Sequence, residues 1–179
     1  MRPVAVTYQP SPTFINHQNF NHEVPLLLEF LQGKKIYIIP NGAGRKSEQD
    51  PIPYEAAKSW AYPQQPRRLA IDVIARAYFA IDEAVDLPST KINHSDGSYA
   101  TKGWVERKMD GDRYVTNGEC MAAMLLKGYK AVFSDVEENP NCCFNAYIKG
   151  TAERELQEKA QLRAQKKAGK LAASRFHPY

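Results

Sequence analysis

His94, Ser95 and Asp96 stand together in the chain, with Glu106, Asp110 and Asp112 a short distance beyond. An imidazole, a hydroxyl and several carboxylates are the groups a hydrolase uses, and Glu106, Asp110 and Asp112 form the set that would suit metal-assisted hydrolysis. A nucleophile and its base must meet in space, however, and sequence neighbours seldom do so productively. Ser-Asp-Gly at 95–97 is also ordinary turn chemistry, and Asp110-Gly111 is a turn pair. A hydrolase with its site around Asp110, Asp112 and His94 is therefore kept as an alternative, and no residue is assigned a catalytic role.

Gly42 to Ser47, GAGRKS, resembles the end of a phosphate-binding loop. That loop needs a Gly directly before its Lys and another Gly five residues ahead of that one; here Arg45 precedes Lys46, and Pro40 occupies the distal position. A basic surface turn explains it equally well. Metal binding has less support. His17 and His22 are five residues apart, which puts them on different faces of any helix, and no Cys-x-x-Cys pair exists. No metal or cofactor is expected.

A denser signal lies between residues 102 and 130. Lys102, Trp104, Arg107, Lys108, Arg113, Tyr114, Lys127, Tyr129 and Lys130 mix cations with flat rings. Cations hold phosphates while rings stack on exposed bases, so this mixture suits nucleic acid. Glu106, Asp110, Asp112 and Glu119 share the window and weaken its field.

The formal net charge is +4, and its location matters more than its size. Residues 151–179 hold seven bases against three acids, which leaves the first 150 residues balanced at 17 against 17. Six of the bases, Lys159, Arg163, Lys166, Lys167, Lys170 and Arg175, follow the acids of the first turns, the order a helix dipole favours. The apolar stripe of that segment, Leu156, Ala160, Ala164, Ala168 and Leu171, is narrow. A membrane-surface helix would carry larger apolar residues there, so the partner expected is nucleic acid or an acidic protein surface, without a membrane.

These residues need elements to hold them. Residues 1–22 read as an extended polar arm in which Val4, Val6 and Tyr8 alternate as a short edge strand. The segment HEVPLLLEFLQG reads as a helix with Leu26, Leu27, Phe30 and Leu31 buried; a strand follows over 35–39 and then a loop. Leu69, Val73, Ile74, Ala77, Tyr78, Ile81 and Val85 recur at helical spacing and predict the core helix over 66–86. A long connection leads to WVERKM and RYVT, which flank Asp110-Gly111-Asp112 as a hairpin. Thr116 and Glu119 form a capping box for a helix over 117–127, ended by Gly128. The runs YKAVFSDV and CCFNAYI close the body as two strands.

The fold class is thus α+β. It comprises a single domain over 23–150 with a helical N-terminal half and a hairpin–helix–hairpin C-terminal unit, an arm over 1–22 and a basic helix and tail over 151–179. Three cysteines, Cys120 and the adjacent Cys142 and Cys143, suit free thiols in a reducing interior. No apolar run approaches the roughly 18–20 residues of a membrane span, and the start lacks a signal peptide's apolar stretch, so a cytoplasmic protein is expected. The functional expectation is a non-enzymatic, intracellular accessory protein that binds nucleic acid or a nucleoprotein complex through its basic helix and its aromatic and basic hairpin surface. The alternatives are a structural or assembly subunit, for example of a viral particle or a homo-oligomer, and a small partner-binding inhibitor.

Overall fold

The computed structural model describes residues 3–12, 14, 19–39, 42–44, 69–111, 114–134 and 140–150. In chain order the elements are β1 (Val4–Val6), α1 (Phe20–Gly33), β2 (Tyr37–Ile39), β3 (Gly42–Gly44), α2 (Ile71–Ala84), α3 (Ser98–Lys108), α4 (Asn117–Leu126), β4 (Ala131–Phe133) and β5 (Cys142–Phe144). Helices and small antiparallel sheets share one core, so the mixed α+β class holds. The 151–179 segment lies outside the described residues.

Helix α4 is the axis of the molecule. All ten of its residues are buried, and it packs on α1, α2, α3 and the β2–β3 hairpin. Burying Met121, Met124, Leu125 and Leu126 contributes about 1.5–3 kcal/mol per side chain. Both of its ends are closed by the residues the sequence offers for the purpose. Thr116 Oγ1 accepts from the Glu119 N–H at 3.2 Å while Glu119 Oε2 accepts from the Thr116 N–H at 2.9 Å, which completes the capping box. At the other end Gly128 takes φ +83°. Its N–H bonds the Leu125 carbonyl and the Tyr129 N–H bonds that of Met124, the reciprocal pair of a Schellman stop.

Strand β4 runs antiparallel between β1 and β5, with Val4 opposite Phe133 and Phe133 opposite Cys142. The described part of the N-terminal arm therefore lies on its own body. Its anchor is Glu23 on α1, a buried carboxylate that accepts from Tyr8 Oη at 2.6 Å, from the Ser11 N–H at 2.9 Å and from Ser11 Oγ at 2.5 Å. Burial alone would raise the Glu23 pKa, but these bonds outweigh it and hold the group below the ordinary carboxylate value. Phe14 and Phe20 continue the anchoring, meeting edge to face at 5.0 Å and each packing on Tyr78.

Three elements depart from the sequence-based expectation. In α1 the buried stripe is Phe20, Val24, Leu27 and Leu31, while Leu26 is exposed and Phe30 half-buried. The stripe begins inside the expected arm. Gly42–Gly44, expected as loop, pairs with β2 in the register Tyr37 to Gly44 and Ile39 to Gly42. Tertiary fit overrides its poor strand propensity: the Ala43 N–H bonds the Pro140 carbonyl at 2.8 Å, and a Cβ on Gly42, at φ +141°, would lie 2.3 Å from that oxygen.

The third difference is the largest. Residues 98–108 form helix α3 where the sequence suggests the end of a long connection and, from Trp104, the first strand of a hairpin, so the C-terminal unit is helix, helix, hairpin. Ser98, Thr101, Val105 and Met109 are the buried positions, a helical stripe whose two polar members disguise it. Gly111 does take a left-handed φ of +71°, but the turn it makes follows a helix. The preceding connection is tied alongside β5: Asp86, Ser89 and Asn93 donate their N–H groups to the carbonyls of Tyr147, Asn145 and Phe144.

Candidate nucleic-acid interface

Helix α3 carries most of the candidate side chains that lie within the described residues, and its helical form redistributes them. At about 100° per residue, Lys102 and Trp104 point roughly 160° apart around the axis. On a strand they would share one face; on α3 they belong to opposite flanks.

The Lys102 flank is closed within the protein. Lys102 Nζ pairs with Glu106 at 2.8 Å, one turn along the helix, and its side chain is only 12% exposed. It also sits over the rings of Tyr99 and Tyr114, at 5.3 and 5.2 Å from their centroids. Glu106 further accepts from the Val115 N–H at 3.2 Å, which joins the helix to the segment leading into α4. Lys102 is thus engaged in holding α3, the two rings and residue 115 together, and its charge is neutralised where a phosphate would want it.

The Trp104 flank is different. Trp104 is 36% exposed, and the Arg107 guanidinium lies over its ring, 4.6 Å from the centroid, a cation–π contact at the surface. Lys108 stands beside them, exposed. The exposed residues of α3 are Tyr99, Ala100, Trp104, Arg107 and Lys108. None is acidic, and among the described residues no carboxylate pairs with Arg107 or Lys108. Tyr99, at 65% exposure, is the most open ring on the helix, with Tyr114 at 48% beyond it.

No protein-family model, curated protein or solved structure matches the chain. The assignment therefore rests on the side chains themselves.

Of the other expected binding residues, Lys130 is exposed on the segment before β4, where Asn145 Oδ1 accepts from its N–H at 2.7 Å; it stands apart from α3 in the chain. Arg113, Lys159, Arg163, Lys166, Lys167, Lys170 and Arg175 lie outside the described residues. Tyr99 is the residue the sequence-based window omits. Its signal is its spacing, three residues before Lys102 and five before Trp104, which means something only on a helix.

The groups considered for hydrolysis do not converge among the described residues. His94 is exposed, and the Asp96 carboxylate accepts from Asn93 Nδ2 at 2.8 Å while the Ser95 N–H bonds Asn93 Oδ1, a local turn. Asp110 is exposed, Glu106 is held by Lys102, and Asp112 is outside the described residues. No cluster of three His, Cys, Asp or Glu able to hold a metal occurs among the described residues. A cavity of about 330 Å³ opens elsewhere, between Pro10, Pro12, Phe14, Tyr78 and Lys127; its described lining includes no carboxylate, imidazole or thiol.

The thiols are free. Burial pushes Cys120 up to about 12, with the nearby Lys102 opposing and Glu106 adding to the shift. Cys142 is likewise raised, chiefly by burial, so neither thiol is poised as a nucleophile at neutral pH. No helix among the described residues is long and apolar enough to cross a membrane.

Proposed function

We propose that the chain is a non-enzymatic binding protein for nucleic acid or a nucleoprotein complex. Its contact surface is the outer face of α3, and the basic segment 151–179 adds charge. The supporting observation is the stack of Arg107 on Trp104, 4.6 Å from ring centroid to guanidinium, on a helix face whose exposed residues include cations and rings but no acid. Stacked guanidinium and indole planes accept a nucleobase on their open faces, and Arg107 and Lys108 can meet the phosphates on either side of it. The bases of 151–179, seven against three acids, provide a longer-range attraction that is indifferent to base sequence.

The two contributions separate by salt. Binding of a fluorescent oligonucleotide to the full-length chain is measured across a range of salt concentrations. Changing Lys166, Lys167 and Lys170 together to Gln should flatten the slope of log affinity against log salt by about 2, while Arg107→Ala should weaken binding at every salt concentration. An unchanged slope in the triple variant would remove the tail from the proposal. An acidic protein surface would respond to the same charges without needing Trp104, so Trp104→Ala distinguishes that partner from a nucleic acid.

A further inference from the structure

We propose that Ser11 is a phosphorylation site, and that a phosphate there unlatches residues 3–11 from the body. The inference does not depend on the nucleic-acid reading. Ser11 is the only serine or threonine of the chain that is followed by proline. Pro10 fixes its own φ, and Pro12 biases the residue before it towards extended backbone. Ser11 belongs to no helix or strand; it is half-buried, and Pro12 beside it is exposed. An extended Ser-Pro segment near the start of a chain suits the cleft of a proline-directed serine/threonine kinase. By contrast Ser98, Thr101 and Thr116 are buried, and Ser89 serves a local turn.

The Ser11 hydroxyl is part of a polar latch. Its oxygen donates to Glu23 Oε2 at 2.5 Å, and the Ser11 N–H donates to Oε1 at 2.9 Å. Tyr8 Oη shares Oε1 at 2.6 Å. Beyond this latch, the stretch is held by the three residues of β1 on β4 and by the burial of Val6 and Tyr8.

Phosphorylation turns the latch from attraction to repulsion. Ser11 Oγ attacks the γ-phosphorus of ATP, its proton passes to the catalytic base of the kinase, and ADP leaves. The oxygen that donated to Glu23 becomes an ester oxygen with no hydrogen, and about 1.5–2 negative charges arrive beside a buried carboxylate. Lys127 lines the same cleft as Ser11 but already pairs with Asp82 at 2.5 Å, and His22 acts on Glu23 itself. Neither offers the phosphate an unshared charge. Phe14, packed edge to face on Phe20 and Tyr78, keeps its place, so the movement falls on residues 3–11. Departure of β1 leaves one edge of β4 open to strand addition by an extended peptide.

The test treats the full-length chain with ATP and a recombinant proline-directed serine/threonine kinase. Mass spectrometry locates the phosphate, and amide hydrogen exchange follows the result. The expected outcome is phosphate on Ser11, with exchange over residues 4–6 faster by about tenfold or more and residues 117–126 of α4 unchanged. In Glu23→Gln the same modification should raise exchange by about threefold or less over the unmodified variant, because the opposing charge is gone. Absence of phosphate on Ser11 would overturn the site. Phosphate there with unchanged exchange over 4–6 would overturn the unlatching, and an equal rise in Glu23→Gln would overturn its electrostatic cause. None of these results bears on the nucleic-acid reading.

Discussion

Helices α3 and α4 are consecutive, packed on one another and nearly equal in length, at eleven and ten residues. Every residue of α4 is buried; on α3 only Ser98, Thr101 and Val105 are. Each of the two helices also contains one glycine, used in opposite ways. A Cβ on Gly118 would stand 2.0 Å from the Ile39 carbonyl oxygen, so that glycine exists to let β2 approach the helix. At Gly103 an added side chain would meet none of the described residues. The contrast separates residues whose chemistry serves the fold from residues whose chemistry is turned outward, and it makes α3 the place to look for function.

Substitutions can break that contrast, beginning with the largest effect. Gly118→Ala should destabilise the protein by about 3 kcal/mol or more, because the obstacle is backbone of β2 and cannot swing aside; urea denaturation measures it. Glu119→Ala should cost roughly 2–3 kcal/mol in the same assay. It strands the N–H of Thr116 and that of Ala70, which Glu119 Oε1 accepts at 2.8 Å.

Glu23 tests whether the inner side of the molecule is also closed by the N-terminal segment. Its native pKa is lowered, so its contribution is full above the unfolded value of about 4.3 and is lost as pH falls through the lower native value. Glu23→Gln should remove that part of the acid dependence and cost about 1–2 kcal/mol at neutral pH. An unchanged stability-versus-pH curve would contradict the anchoring role.

The smallest effects belong to α3. Gly103→Ala should stabilise by about 0.5–1 kcal/mol, since it adds helix propensity and meets none of the described residues. Trp104→Ala should cost about 1 kcal/mol, since the ring is only 36% exposed and carries the Arg107 contact. A loss in Gly103→Ala, or one well above about 1 kcal/mol in Trp104→Ala, would mean that this face is packed further in the native protein.

The same contrast explains what the sequence makes legible. Helix α4 announces itself because its capping box, apolar run and terminal glycine all agree with the tertiary structure. Helix α2 does so through its apolar spacing, and β4 and β5 through their short apolar runs. Helix α3 is hidden because two of its inward positions are Ser98 and Thr101. Their burial depends on partners far along the chain: Ser98 Oγ, for instance, accepts from the Cys142 N–H at 3.3 Å. Strand β3 is hidden for a related reason, since Gly-Ala-Gly has no strand preference and is held by Pro140. The candidate site inherits the error. The residue types Trp104, Arg107 and Lys108 can be read from the chain, but the division of Lys102 from Trp104 and the membership of Tyr99 follow only once the helix is known.

The outer face of α3, and not the buried helix beside it, is the surface proposed to meet the ligand. Titrating a single-stranded oligonucleotide into the isotopically labelled full-length chain, with backbone amides and the Trp104 indole N–H followed by NMR, tests it most directly. Shifts should concentrate at residues 99–108, with the Trp104 indole among the largest, and little change over 117–126. Saturable binding that leaves 99–108 unperturbed would contradict it.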